Sequence, residues 1–284
     1  MWINLNPELA QYYSGESAFD QLMDCEGEKF RHIKTRRTIK FERGGRSYFI
    51  KIHRACGWRE VWKNWFAFKR PVTSARMEWE AIDRLNALNV STLSVVGRGI
   101  RGKAPANQES FVITEALEGM ISLEQLTQRW GNLTVQKRVY LKRELIRQVA
   151  NIAKTIHHNG LNHRDFYLCH FLVKDRHWDQ WQPEDSLTLH LIDLHRMQQR
   201  SIVPKRWWIK DLAGLLFSSL DCSLTRNDLL RFSMIYWDCT LLDLRRERLG
   251  VLWKIYRKAR RLYASIHGKN APKTAGLDNL VLYE

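Results

Sequence analysis

Alternating apolar and polar positions in the first half of the chain predict an antiparallel sheet. Residues 38–41 and 48–52 alternate on the two sides of an Arg-Gly-Gly-Arg turn, a pattern typical of a β-hairpin. Residues 110–117 form an apolar run that predicts a buried strand leading into a connector. The residues ahead of position 28 are interpreted as a polar lead to this sheet.

Helical spacing appears once after the hairpin and dominates the later part of the chain. Residues 74–86 carry apolar side chains at helical intervals, and residues 135–158 form a long amphipathic pattern that ends at Asn159-Gly160. The other predicted elements are short strands at 171–173 and 187–192 and a helical region from 206 to about 267. Strands first and helices later predict an α+β fold with two lobes.

This order of elements predicts three parts. Residues 1–117 would form a small N-lobe with the antiparallel sheet and one helix, and residues 118–268 a larger, mainly helical C-lobe. The connector at 114–118 would be the hinge. Residues 269–284, with Gly, Pro and Lys, would be a loose tail.

Composition narrows the class of partner. With 27% charged and 44% hydrophobic residues, the 284-residue chain is typical of a globular protein. Its 46 Lys and Arg against 30 Asp and Glu leave a net charge of +16, which favours partners that carry phosphate. Twelve tryptophans suit a membrane interface or single-stranded nucleic acid equally well. Nothing beyond charge and aromatic content supports nucleic acid, so we do not expect it as a partner.

Cysteine usage and the N-terminal residues indicate a cytosolic protein. Five cysteines are scattered singly, without a Cys-x-x-Cys pair, which predicts reduced thiols. The first residues lack the basic and apolar regions of a secretory signal. No run of about 18 apolar residues occurs, so we expect no segment to span a bilayer.

Candidate chemistry begins with the stretch Leu-Asn-His-Arg-Asp-Phe-Tyr-Leu-Cys-His. His-Arg-Asp opens the catalytic loop of protein kinases, in which four residues separate the Asp from a metal-binding Asn. Residues 163–170 fit this loop, and Asp165 would orient the acceptor hydroxyl or take its proton. His170 stands at the metal-binding position, although imidazole is a poor ligand for Mg²⁺. Instead of binding metal, His170 would form a hydrogen bond to phosphate or to Asp165, or pack under the loop.

Two charged residues of the predicted N-lobe match further parts of a kinase site. Lys51, inside a strand, matches the lysine that binds phosphates, although alone it would be an ordinary solvated lysine. Glu78, on the following helix, would hold that lysine, and Glu80 is a competitor on another helical face. We prefer Glu78 because its apolar neighbours at 77 and 79 should face inward.

The sequence matches only part of the nucleotide-binding site of a kinase. Backbone groups of Glu115 and Leu117 would meet the edge of adenine, with Thr114 at the rear of its pocket; a plain core strand is the alternative. No Gly-rich loop precedes the candidate lysine. Arg36 and Arg37 occupy that turn, where they would bind phosphate through their guanidinium groups or face solvent.

Two acids in the predicted C-lobe complete the pattern. Asp193 ends an apolar strand, where a carboxylate can reach Mg²⁺, and Leu-His replaces the Phe-Gly that usually follows. Asp211, in Lys-Asp-Leu-Ala-Gly, resembles the helix acid that braces the catalytic-loop backbone in kinase-like folds.

Distinctive segments carry a closer resemblance. They are Lys-Thr-Arg-Arg-Thr at 34–38, Ser-Tyr-Phe at 47–49, Glu-Trp at 78–79, Gly-Leu-Asn-His-Arg-Asp at 160–165, Cys-His-Phe-Leu at 169–172, Ile-Asp-Leu-His-Arg at 192–196, Pro-Lys-Arg-Trp at 204–207, Lys-Asp-Leu at 210–212 and Phe-Ser-Ser at 217–219. From about residue 28 to about residue 235, the chain resembles the lipopolysaccharide core heptose(I) kinase family. The resemblance implies that the His and Leu-His variants are features of that family.

The resemblance also implies a function. It implies a bilobal, protein-kinase-like enzyme that uses ATP and Mg²⁺ to phosphorylate an inner-core heptose of lipopolysaccharide, with Asp165 as the catalytic base. Its place would be the cytoplasmic side of the bacterial inner membrane. Two alternatives stay open: a kinase of another acceptor (a protein hydroxyl, the Kdo sugar or a soluble small molecule), and a non-catalytic pseudokinase that binds nucleotide or lipid.

Two basic, aromatic stretches would address a membrane or a partner. Residues 54–70, with Trp58, Trp62 and Trp65, would form an interfacial helix or pack on the lobe. Residues 245–266 combine an apolar face with eight Arg and Lys. This helix suits lipid phosphates, the phosphates of lipopolysaccharide or a small acidic protein. We therefore expect peripheral contact with the inner membrane surface.

Overall fold

The computed structural model describes residues 1–33, 35–58 and 74–272. The chain divides into two compact units, here called the N-unit and the C-unit. The N-unit comprises Met1–Ala87, Thr92–Glu118 and Leu194–Arg196, and the C-unit comprises Leu88–Ser91, Gly119–Asp193 and the chain from Met197 onward. The predicted α+β class is confirmed, because an antiparallel sheet fills one unit and helices dominate the other.

A six-stranded antiparallel sheet forms the centre of the N-unit. In spatial order its strands are β1 (Trp2–Leu5), β5 (Val95–Arg101), β6 (Glu109–Glu115), β4 (Arg46–His53), β3 (Arg36–Arg43) and β2 (Glu28–Ile33). The predicted hairpin is confirmed as β3–β4, and its turn holds Gly44 and Gly45 at φ 57° and 74°. Glycine adopts these left-handed values without strain, which explains why the turn carries two of them.

The first 27 residues are an integral part of the N-unit, and the interpretation of a polar lead was wrong. They contribute β1, which pairs with β5, and two short helices, α1 (Pro7–Ala10) and α2 (Ala18–Met23). Leu9, Phe19 and Leu22 are fully buried in the same core as the sheet residues Ile50 and Phe111. Elements of four to six residues contain too few periods for the sequence pattern to reveal them.

The predicted helix at 74–86 is present as α3 (Arg76–Ala87) in the N-unit. It buries Trp79, Ala81, Ile82 and Leu85 together with the carboxylate of Glu78. Apolar residues three and four apart lie on one helix face, which is why this stretch packs as the sequence indicates.

Helices make up most of the C-unit. They are α4 (Leu123–Arg129), α5 (Val135–His158), α6 (Lys205–Ser219), α7 (Arg226–Trp237), α8 (Leu241–Asp243) and α9 (Leu249–His267), with a π-helical turn at Leu244–Arg248. The bounds predicted for α5 are confirmed, and the Thr134 hydroxyl caps its first turn. Helix α6 packs against α9, and α5 against α7. Across the described residues, every helix is too short or too polar to cross a lipid bilayer.

Short strands complete the C-unit. Strands β7 (Met120–Ser122), β9 (Phe171–Lys174) and β10 (His190–Leu191) form one antiparallel sheet, and β8 (Leu161–Asn162) pairs with β11 (Gln198–Gln199). Strand β10 is shorter than the predicted strand at 187–192. The side-chain amide of Gln148 takes up backbone groups of Leu187 and Leu189, which therefore bond to a side chain and not to a neighbouring strand.

A glycine fixes the entry to β8. Gly160 has φ +78°, and a Cβ at this position would lie 1.8 Å from the carbonyl oxygen of Arg200. The amide of Arg200 donates to the Gly160 carbonyl at 2.9 Å, so the two backbones are in direct contact. Only glycine permits this approach, which joins β11 to the start of the His-Arg-Asp stretch.

Candidate functional site

An ion pair joins β4 and α3 in the N-unit. Lys51 Nζ donates to Glu78 Oε1 at 2.5 Å. Glu78 is 1% exposed, whereas 25% of the Lys51 side chain stays accessible. Glu80, the competing acid, has a side chain that is 45% accessible, and it pairs with Arg76 instead. The structure therefore selects Glu78 as the partner of Lys51, and the phosphate-binding role of this lysine stays a prediction.

Strand alternation explains the position of Lys51. Ile50 and Ile52 are fully buried on one face of β4, so Lys51 lies on the other face. Its cross-strand neighbour Val112 packs there with Trp79 of α3. The lysine is thus held beside the buried carboxylate, whose charge would be left uncompensated in its absence.

A buried carboxylate of α6 holds the candidate catalytic loop. Asp211 is 1% exposed. Its Oδ2 accepts the amide hydrogen of His163 at 2.6 Å, and its Oδ1 accepts that of Arg164 at 2.8 Å. Arg164 has φ 76°, a conformation that costs energy for any residue other than glycine. The two hydrogen bonds compensate for this strain and fix the backbone immediately before Asp165.

Asp211 is itself held by a buried chain of polar groups. His157 Nε2 lies 3.4 Å from Asp211 Oδ2, and His157 Nδ1 lies 2.9 Å from the hydroxyl of Tyr236. A carboxylate only accepts, so Nε2 carries the hydrogen and Nδ1 accepts from Tyr236. Burial, and then the charge of Asp211, raises the pKa of Tyr236, which keeps this donor protonated. Sequence reasoning missed His157 and Tyr236, because no local motif marks them.

His163 connects the loop to the segment that carries Asp193. Its buried ring donates from Nε2 to the carbonyl of Ile192 at 2.9 Å. The Ile192 amide donates in turn to the carbonyl of His170 at 3.0 Å. Burial lowers the pKa of His163, so the ring is held neutral in the folded protein. These bonds bring the two halves of the C-unit site together.

His170 stands between Asp165 and Asp193. Its Nδ1 lies 2.6 Å from the backbone carbonyl of Asp165, and its Nε2 lies 3.5 Å from Asp193 Oδ2. The carbonyl only accepts, so Nδ1 carries a hydrogen, and Nε2 faces the carboxylate of Asp193. A proton on Nε2, or a metal ion between the two groups, would satisfy both. Asp193 has φ 61°, a second strained backbone position in the same site.

The predicted nucleotide-side residues lie on the sheet of the N-unit. Arg36 and Arg37 are the first residues of β3 and pair with both neighbouring strands, so their predicted place in the turn was wrong. Arg37 Nη2 donates to the carbonyl of Met23 at 2.6 Å. Glu115 ends β6, and its amide donates to Ser94 at 3.1 Å, while Leu117 follows in the connector. Thr114 is buried. Their contacts with a nucleotide stay predictions.

Three predicted features fall partly or wholly outside the described residues, and one of them is the tail at 269–284, of which residues 273–284 lie there. Most of the 54–70 stretch, including Trp62 and Trp65, lies there, as does Lys34, whereas Trp58 is described and 52% exposed. The 245–266 stretch is present as the π-helical turn and α9. Its Ile255, Tyr256, Ala259 and Tyr263 are buried, and most of its Arg and Lys are exposed.

The five cysteines carry free thiols in the structure. Cys169 lies next to His170, within the candidate loop. Burial raises the pKa of Cys169 to about 11, so this thiol stays protonated at neutral pH. Cys169 is therefore held as the thiol and not as the more nucleophilic thiolate.

A lysine–glutamate pair on a sheet and helix, and a His-Arg-Asp loop anchored by a helix aspartate, define a protein-kinase-like fold. The chain belongs to the lipopolysaccharide kinase (Kdo/WaaP) family, whose model matches residues 20–236. The family resemblance inferred from the sequence is thereby confirmed.

Named relatives cover most of the chain. It is 42% identical to lipopolysaccharide core heptose(I) kinase WaaP of Pseudomonas aeruginosa over 93% of its length and 96% of the relative. It is 40% identical to the protein of that name from Escherichia coli, over 92% of this chain and 96% of the relative. A solved structure, WaaP in complex with acyl carrier protein, superposes with a TM-score of 0.77 at 38% identity, over 93% of this chain and 100% of that chain.

Proposed function

We propose that this protein transfers the γ-phosphate of ATP to an inner-core heptose of lipopolysaccharide. The relatives at 42% and 40% identity, both named lipopolysaccharide core heptose(I) kinase, carry this proposal. They favour heptose over the Kdo sugar, a protein hydroxyl or a soluble acceptor. The acceptor is a membrane glycolipid and ATP is cytoplasmic, so the proposed location is peripheral, at the cytoplasmic face of the inner membrane.

Asp165 is the proposed base. Phosphoryl transfer passes through a loose transition state, in which positioning of the acceptor contributes more than proton removal. The hydrogen bonds from His163 and Arg164 to Asp211 support this role, because they fix the backbone that carries Asp165. Asp165 would accept a hydrogen bond from the acceptor hydroxyl. It would take the hydroxyl proton as the new bond to the γ-phosphorus forms and the bond from the γ-phosphorus to the β–γ bridging oxygen breaks, which releases ADP.

Nucleotide binding would use residues of the N-unit. Lys51, held by Glu78, would contact the phosphates as an ammonium group. The carbonyl of Glu115 and the amide of Leu117 would bind the adenine edge, since the Glu115 amide already donates to Ser94. Arg36 would add a side-chain contact to phosphate in place of a Gly-rich loop. Arg37 lies opposite Ile52, on the face of the sheet away from Lys51, where its guanidinium donates to the carbonyl of Met23, so we do not propose it as a phosphate contact.

A magnesium ion fits the acceptors beside the loop. Mg²⁺ in kinases is held by one or two carboxylates and by the substrate phosphates, and Asp193 supplies a carboxylate of this kind. No group of three or more His, Cys, Asp or Glu that could hold a metal by themselves occurs in the described part of the chain. Asp193 would hold the ion, with the Nε2 lone pair of His170 towards it. Bound Mg²⁺ would neutralise charge on the phosphate oxygens.

A small acidic protein is the proposed partner, namely an acyl carrier protein. The similar structure contains WaaP in complex with acyl carrier protein. In the C-unit, a cavity of about 140 Å³ between α5, α6, α7 and α9 is lined almost entirely by apolar side chains. Leu145, Val149, Leu215, Leu252 and Ile255 are among them. The exposed Arg and Lys of α9 suit an acidic protein, and the cavity suits its acyl chain.

Glu78→Gln tests the proposed nucleotide site. We expect the affinity for ATP to fall about tenfold, or about 1.4 kcal/mol, because Lys51 loses its charged partner. Glu80→Gln is the matched control, since it makes the same change two residues away at a partly exposed position, and it should leave the affinity unchanged. Calorimetric titration with ATP measures both. Equal losses in the two variants would contradict the role of Glu78.

Asp165→Asn tests the proposed reaction. Purified wild-type protein, γ-labelled ATP and dephosphorylated lipopolysaccharide should give labelled glycolipid, and the variant should transfer at least about 100-fold more slowly while still binding ATP. An Asp179→Asn variant, altered at an exposed position, should retain the wild-type rate. Absence of label in the glycolipid with the wild-type protein would refute the proposed function. Equal rates for the wild type and Asp165→Asn would refute the role of Asp165.

Acyl-chain length tests the proposed partner. Each methylene buried in an apolar cavity contributes about 0.8 kcal/mol, so lengthening a short acyl chain by two carbons should tighten binding roughly tenfold. Titrating the protein with carrier proteins that bear successive acyl chains measures this, and unacylated carrier is the matched control. An affinity that does not depend on the acyl group would contradict the use of the cavity.

A further inference from the structure

Four cations surround one indole ring in the C-unit, and we call this set the indole cluster. Trp207 lies in the first turn of α6. The charged groups within 6 Å of its ring centroid are Arg164 at 5.2 Å, Arg206 at 5.5 Å, Arg200 at 5.6 Å and Lys210 at 5.9 Å. They come from three separate segments: the candidate catalytic loop, the end of β11 and α6. The fold thus gathers positive charge that is dispersed along the sequence.

The indole cluster lies next to the proposed base. Arg164 directly precedes Asp165 in the chain. Trp207 lies four residues before Asp211 on α6, so the two side chains lie on one helix face, about 5–6 Å apart between Cβ atoms. Asp211 binds the amide of Arg164 itself. The cluster is therefore one helical turn from the anchor of the catalytic loop.

Arg200 is held in place within the cluster. It donates from Nη1 to Asn162 Oδ1 at 2.6 Å and from Nη2 to Gln198 Oε1 at 2.7 Å. Guanidinium and ammonium donors match a carboxylate or a phosphate, so the chemistry of the cluster suits an anionic ligand.

We propose that the indole cluster binds an anionic group of the glycolipid acceptor, a carboxylate of an acidic sugar or a phosphate, and so positions the neighbouring sugar hydroxyl at Asp165. This inference rests on the proposed function for the identity of the acceptor. The cations would contribute to acceptor affinity, and the residues of the cluster would act as binding residues while Asp165 acts on the hydroxyl.

Arg206→Gln provides the first test, because Arg206 is exposed and its replacement leaves the core intact. Calorimetric titration with lipopolysaccharide core oligosaccharide measures acceptor binding without turnover. We expect the dissociation constant to rise about tenfold and ATP affinity to be unchanged. Arg84→Gln, the same change at an exposed position of α3, is the control for general charge and should bind acceptor as the wild type does. Equal binding by the wild type and Arg206→Gln, or equal losses in both variants, would overturn the proposal.

Steady-state kinetics give a second measurement, which would not change if Arg206 had a purely structural role. In Arg206→Gln, kcat/KM for the acceptor should fall about tenfold, mainly through a higher KM, while the melting temperature stays near that of the wild type. A fall in kcat with unchanged KM would count against an acceptor subsite. The wild-type protein could also bind the oligosaccharide through the cluster and yet transfer no phosphate. That result would refute the proposed function but would still support the binding site.

Modified acceptors distinguish the two sources of charge. With carboxyl-reduced oligosaccharide, the wild type and Arg206→Gln should bind alike if the anion is a carboxylate. With phosphate-free oligosaccharide, they should bind alike if it is a phosphate. Either result supports the cluster as an anion site. A difference between the two proteins that persists undiminished on both modified acceptors would overturn it.

Discussion

Two backbone N–H groups, from His163 and Arg164, converge on the two oxygens of one buried carboxylate, that of Asp211. Arg164 is thereby kept at φ 76°, which a free chain would rarely adopt at this residue. The position of Asp165 follows from this constraint, because Asp165 is the next residue. Hydrogen bonds to a charged acceptor are stronger than those between neutral groups, and here they are buried. They can therefore stabilise the strained backbone conformation of Arg164.

Helix α6 carries both the residue that anchors the catalytic loop and the centre of the indole cluster. Its face near the catalytic loop carries Asp211, and one turn earlier it carries Trp207, at the centre of the indole cluster. The anchor of the loop and the proposed acceptor contacts therefore lie on one rigid element, which suits a reaction that depends on positioning. His170 adds a second link, because its ring contacts the Asp165 backbone on one side and the Asp193 carboxylate on the other.

Local pattern predicted the features that depend on strand and helix periodicity. Strand alternation and helical spacing were enough to pair Lys51 with one acid of α3, and motif order was enough to identify Asp211 as the acid that holds the loop. The catalytic role of Asp165 stays a prediction. The groups that hold the anchor, His157 and Tyr236, lie on two helices far apart in sequence, so no local signal could reveal them. No local signal could reveal the indole cluster either, because its residues come from three separate segments of the chain. The short N-terminal elements were missed because they contain too few periods.

Amide hydrogen exchange of His163 and Arg164 tests the anchoring of the loop most directly. If both amides are bound to Asp211 as described, they should exchange as slowly as the amide of Ala153 in the core of α5, through opening of the whole unit. Nuclear magnetic resonance of the wild-type protein in deuterated buffer measures the three rates. Exchange of His163 and Arg164 at the rate of an exposed amide such as that of Gly131 would contradict the account.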